Sequence, residues 1–151
     1  MSPTRAIALV VLIGAACTST DPVASYVEDL QAIMERLTDE SSAALPPGTT
    51  PTHDAVAGVV AARRTALASL EATEPSADLA PEHLALVVVF TDFVEAATEF
   101  LDETASLDPN DFREALAAST DIDTLAGRVS AACDAIRSRA RSLGHTASLE
   151  C

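Results

Sequence analysis

"LALVVVFTDFVEAATEFL", residues 84–101, decides the fold class of this chain. Its first seven residues, LALVVVF, have the composition of a strand, because Val and Phe suit a pleated, half-buried surface. The apolar pattern then continues through Phe93, Val94, Ala97, Phe100 and Leu101. That is the i, i+3, i+4, i+7 spacing of one helix face, so the whole segment reads as a helix opened by Pro81 and reaching about Ser106.

Working outward, the same periodicity recurs on both sides. Before it, Val23, Tyr26, Val27, Leu30, Ile33, Met34 and Leu37 form an inward stripe over 22–43. Asp21 can cap that helix, and Pro22 suits its first position. Pro46-Pro47-Gly48 ends it. A second helix opens at Thr50-Pro51 and turns Val56, Val59, Val60, Leu67 and Leu70 inward as far as Ala72, before Pro75 breaks the pattern. After residue 106, Asp108-Pro109 starts a short helix to about Ala118. A last long helix runs from Asp121 to Leu143, with Ile122, Leu125, Val129, Cys133, Ile136 and Leu143 inward and Gly144 as its stop. Four amphipathic helices with mostly short connections predict an all-α, up-down-up-down four-helix bundle, with a short extra helix between the third and fourth long ones. "PTHDAV" at 51 and "PEHLAL" at 81 look alike, as two helices that both take Pro at the first position and His two residues later. Gly58 and Gly127, inside helices, would let backbones approach closely.

Composition narrows function by exclusion. The chain has 151 residues, one domain's worth, and its 48% hydrophobic content is enough for a core. All nine basic residues are Arg, and the net charge is -14. Such a charge repels phosphate backbones, so nucleic acid is not an expected partner. With no Trp and one Tyr, stacking platforms for bases or sugars are lacking. Five Gly leave no glycine-rich phosphate loop, and an Ala-lined bundle has little room for a large internal cofactor; none is expected.

The opening residues give an address. Arg5 precedes an apolar run, AIALVVLIGAA at 6–16, which is too short to span a bilayer as a helix but fits the hydrophobic region of a secretory signal. Small residues then lead into a cysteine, Ile13-Gly14-Ala15-Ala16-Cys17. This resembles the lipobox of bacterial lipoproteins, although Gly14 stands where that motif usually has Leu. The resemblance implies a signal peptide over 1–16, cleavage before Cys17, a diacylglyceryl group on the Cys17 thiol and acylation of the new amino terminus. Residues 17–21 would then be the lipidated Cys and a polar tether, and 22–151 the helical domain with its tail. Two or three acyl chains would anchor the protein stably, where one would be marginal.

With Cys17 lipidated, Cys133 and Cys151 remain. Outside the membrane a disulfide can persist. Cys133 lies on the inward stripe of the last helix, and the seven residues after Gly144 suffice to double back along its final two turns, because an extended chain covers ~3.3 Å per residue against ~1.5 Å in a helix. A Cys133–Cys151 bridge is therefore expected, with Leu149 on apolar surface beside Cys133.

No catalytic constellation is present. The chain has no His-Glu-x-x-His, no Glu-x-x-His pair, no Cys-x-x-Cys-His and no Gly-x-Ser-x-Gly. In an up-down bundle His53 lies at the distal end, while His83 and His145 lie at the membrane end and can approach each other. Two His without a carboxylate or thiolate make a poor metal site. Asp39, Glu40, Asp102, Glu103 and Asp108, with Asp111, Asp121 and Asp123, gather at the distal end, where helix dipoles disfavour several of them. Glu95, Glu99 and Glu103 form one acidic row. Arg137, Arg139 and Arg141 at the membrane end face Glu71, Glu74, Asp78 and Glu82, which can pair with them.

The final stretch, "AACDAIRSRARSLGHTASLEC", together with the lipobox and the Pro-x-His helices, resembles small uncharacterised helical lipoproteins of actinobacteria. That resemblance implies an envelope location and a helical bundle, and transfers no activity. The expected function is a non-enzymatic cell-envelope lipoprotein, anchored in the membrane by its lipid and binding a protein partner or small ligand at the outer face. The alternative is a metal-handling or metal-dependent protein using the His83 and His145 pair or the distal acidic residues.

Overall fold

A computed structural model of the chain describes residues 21–147 and 149. Among them the protein is all-α, with five helices in the order α1 (Pro22–Ala44), α2 (His53–Ala72), α3 (Ala80–Thr104), α4 (Pro109–Ala117) and α5 (Thr120–Ser142), and no strand. LALVVVF lies wholly inside α3. Leu86 and Phe90 are buried, whereas Leu84 and Val88 are 63% and 50% exposed. A strand would have put these four residues on one face; the helical period sends them to opposite sides. None of the described helices is long and apolar enough to cross a membrane.

The helix ends are set by local chemistry. Asp21 Oδ1 accepts from the Val23 and Ala24 amides at 3.0 and 3.3 Å, with Pro22 at the first helical position. Asp108 does the same for α4, accepting from the Asn110 and Asp111 amides at 2.8 and 3.1 Å. Those two bonds hold its carboxyl below the usual range. The resemblance between the two Pro-x-His starts does not survive. The Thr52 hydroxyl accepts from the Ala55 amide at 3.2 Å and caps α2, leaving Pro51 outside and His53 as the first helical residue. Helix α3 instead starts at Ala80, after Leu79, without a side-chain cap, and puts His83 in its fourth position. At the end of α5, the Gly144 amide donates to the Arg141 carbonyl and the His145 amide to the Ala140 carbonyl, each at 3.0 Å. With Gly144 at φ +89°, this is a Schellman stop that turns the chain back over its own helix.

Helix α1 lies along α2, α2 against α3 and α3 along α5, while the α1 and α5 backbones approach each other less closely. The main core joins Tyr26, Leu30 and Met34 of α1, Leu70 of α2, Leu86, Phe90 and Phe93 of α3, and Cys133, Ile136 and Ala140 of α5. Ala147 and Leu149, from the returning tail, are buried in the same cluster as Cys133. A smaller cluster joins Val60, Ala97 and Leu101 to Phe112, by which α4 is held. Ala62 and Ala66 are buried on α2, whereas Val56, Val59 and Leu67, expected inward, are only half-buried. Small side chains let α2 settle deeper on its alanine face. Gly58 does permit a close approach: a Cβ there would come within 2.8 Å of the Ala44 Cβ. Gly127 does not, having open space within 4 Å of the same position.

Candidate functional site

The four long helices enclose a partly open cavity of about 210 Å3. Met34 and Leu37 line it from α1, Arg63 from α2, Phe90 and Phe93 from α3, and Ala126, Val129 and Ser130 from α5. Its origin lies in α5. That helix has buried residues only in its second half, Cys133, Ile136 and Ala140; from Thr120 to Ser130 none is buried. Ala126 and Ser130 are exposed and form a rim. The α1 and α5 backbones approach each other less closely than α1 and α2 or α3 and α5 do, and the space between them is left partly open.

Arg63 is the unusual residue of this lining. It is half-buried, and its guanidinium carbon sits 4.9 Å above the centre of the Phe93 ring. Among the described residues Arg63 forms no hydrogen bond or ion pair. Several other arginines are occupied: Arg64 donates to the Thr98 hydroxyl at 2.7 Å, Arg113 to the Asn110 side chain, Arg128 pairs with Asp92 at 3.5 Å, and Arg137 with Asp134 at 2.8 Å. Arg36 and Arg141 share with Arg63 the lack of a partner among the described residues, but neither lines this cavity. Burial pushes the Arg63 pKa down, yet a guanidinium keeps its proton in proteins. A chain with 23 Asp and Glu thus places a cation in an apolar cavity to which no carboxylate contributes. The sequence signal was a charge on an inward row, since Arg63 falls three residues after Val60 and four before Leu67. The aromatic and aliphatic walls were legible as core.

The metal candidates are not gathered. Among the described residues no three His, Cys, Asp or Glu side chains form a group that could hold an ion. His83 is buried and shares a 3.0 Å hydrogen bond between its Nδ1 and the Tyr26 hydroxyl, their rings meeting edge to face. Burial pushes the imidazole below its ordinary range, and burial with the nearby Glu82 carboxylate pushes the Tyr26 hydroxyl up. With the imidazole neutral and the phenol protonated, a single proton lies between Nδ1 and the hydroxyl, and the tautomer of His83 sets which of the two donates. His145 faces Asp21 instead, at 3.6 Å. His53 Nε2 bonds the Leu101 carbonyl at 3.0 Å, and its ring packs edge-on to Phe112. Asp102 and Glu103 join Glu95, Glu99 and Arg64 along an open groove on α3, whose lining does not include Asp39, Glu40 or Asp108. Nor do Arg137 and Arg139 pair with the carboxylates expected for them: Arg139 reaches the backbone carbonyl of Asp78, at 3.3 Å, and Arg137 pairs with Asp134 one turn away in its own helix.

Cys17 and Cys151 lie outside the described residues. Cys133 is wholly buried. No family model, no curated protein and no solved structure matches this chain.

Proposed function

We propose that this chain is a lipid-anchored, non-enzymatic protein of the bacterial cell envelope, folded as an up-down-up-down four-helix bundle, that holds a small ligand at the outer face of the membrane. The cavity under α5 carries this reading. It is apolar, it opens to solvent at Ala126 and Ser130, and it contains one cation without a partner. A half-buried positive charge with no partner among the described residues leaves its attraction for an anion unused, and a ligand that supplied the missing group would gain it. The antiparallel order is supported by four juxtapositions of helix ends: Ala44 beside Gly58, His53 with Leu101, Tyr26 with His83, and Arg139 with Asp78. In that order Asp21 and the end of α5 share the anchored end, and α4 covers the far one. The location rests on the apolar run at 6–16 and the small residues leading into Cys17.

A partition experiment tests the location. Expressed in a host that processes lipoproteins, the protein should enter the detergent phase, and mass spectrometry should find a lipidated N-terminal Cys. Cys17→Ala should remain in the aqueous phase or keep its uncut signal. A Cys17→Ala protein that partitions and migrates like the wild type would overturn the anchor.

A further inference from the structure

We infer that the cavity under α5 binds a compact organic carboxylate, with its anionic end on Arg63 and a ring or branched hydrocarbon body between Phe90, Phe93 and Val129. The inference rests on the small-ligand reading above and adds the chemical class.

Three observations define that class. The first is size. A cavity of about 210 Å3 is somewhat larger than the ~150 Å3 apolar cavity that accommodates benzene. It is smaller than the roughly 300–1,000 Å3 of sites for drug-sized ligands. One ring with a short substituent fits; a nucleotide, haem or whole lipid does not. The second is the lining. Apart from Arg63 and Ser130 every lining side chain is apolar, so the body of the ligand must be hydrocarbon. The third is the guanidinium itself. Its carbon sits 4.9 Å from the centre of the Phe93 ring and no carboxylate lines the cavity, while its five donors all lie in its plane, at the edges. A planar carboxylate fits such an edge with two parallel hydrogen bonds. Ser130, at the rim, supplies the other polar atom of the lining. The repulsion of the acidic protein for an anion is long-ranged and screened by salt, whereas the contact with Arg63 is short and half-buried, and so is screened less.

The test uses the full chain in nanodiscs of zwitterionic lipid, with empty nanodiscs as the blank, titrated with benzoate, phenylacetate and cyclohexanecarboxylate and with the three corresponding amides. At least one acid should bind about ten-fold more tightly than its own amide, a difference of ~1.4 kcal/mol. Arg63→Gln should erase that preference, and Arg64→Gln, which alters the neighbouring arginine bonded to Thr98, should preserve it. Val129→Trp, on the half-exposed part of α5, should fill the cavity and weaken acid and amide alike, which keeps the test alive if Arg63→Gln fails to fold. Equal binding of acids and amides, or a preference that survives Arg63→Gln, would overturn the carboxylate assignment and leave a small-ligand site standing. If none of the six compounds binds at millimolar concentration, both the assignment and the small-ligand reading fall.

Discussion

The two halves of α5 carry one hydrophobic pattern and meet different surroundings. In the second half Cys133, Ile136 and Ala140 are fully buried, and the tail returns so that Ala147 and Leu149 cover the same cluster. In the first half Ile122, Leu125 and Val129 continue the stripe and pack against the edge of the same core, yet all three are only half-buried, and Val129 lines the cavity. Periodicity reports which way a side chain points. Depth is decided by what stands opposite, and beside Val129 the space between the helices is left open. A cavity costs stability, so an opening placed in one half of a helix whose other half is sealed has the arrangement expected of a site.

The largest test of this contrast is a pair of truncations. Ile136→Ala removes a fully buried side chain and should cost about 2–5 kcal/mol, measured by urea denaturation. Val129→Ala removes atoms from a half-exposed wall and should cost below about 1 kcal/mol. Equal losses would mean that the two halves are packed alike and that the cavity is closed in solution.

That contrast also marks the limit of what the sequence discloses. The all-α class was legible in residues 84–101 because the stripe outlasts the strand-like LALVVVF, and the helix limits followed from Asp21, Pro22, Asp108 and Gly144. Tail burial at Leu149 was legible from chain length after Gly144. Arg63 was not, although it sits on an inward row, because a row does not reveal whether a carboxylate answers the charge or a neighbouring helix stands off. The starts of α2 and α3 look alike in sequence and differ in the structure because the Thr52 hydroxyl, rather than Pro51, fixes where α2 begins.

Next in size is the staple expected at the sealed end. A Cys133–Cys151 bridge closes a loop near the length for which chain entropy gives about 3 kcal/mol. Cys151→Ser should therefore lower the melting temperature of the oxidised protein and leave the reduced one almost unchanged. Two titratable thiols in the mature, lipidated protein folded under oxidising conditions would remove the bridge, and with it part of the reason for the seal.

A smaller effect comes from the buried Tyr26–His83 pair. Tyr26→Phe deletes the hydroxyl that bonds to Nδ1 and should cost roughly 1 kcal/mol at neutral pH. The pair also gives stability a pH dependence of known sign. His83 has its pKa lowered in the folded state, so the unfolded chain takes up the proton first. Its contribution is fully present above about pH 6.5 and is lost as the pH falls from there through the lower folded value. His83→Gln should flatten this part of the stability profile relative to wild type. An unchanged profile would show that the imidazole protonates as readily in the folded protein as in the unfolded chain.

The smallest effect separates the two helical glycines, and it returns to the open half of α5. Replacing Gly by Ala inside a helix gains up to about 1 kcal/mol, because the unfolded chain loses freedom and the helix gains a better former. Whether that gain is realised depends on room for one methyl group. At Gly127 the new Cβ would meet nothing within 4 Å, so Gly127→Ala should raise the melting temperature by a few degrees without changing ligand binding. At Gly58 the same Cβ would come 2.8 Å from the Ala44 Cβ. One helix would have to move away from the other there, and overpacking of that kind typically costs about 1–3 kcal/mol, more than the propensity gain. Gly58→Ala should therefore be neutral or destabilising although the chemical change is identical. If the signs came out reversed, with Gly127→Ala the harmful change, α5 would lie closer to its neighbours than the open seam requires, and the space assigned to a ligand would be filled by the protein itself.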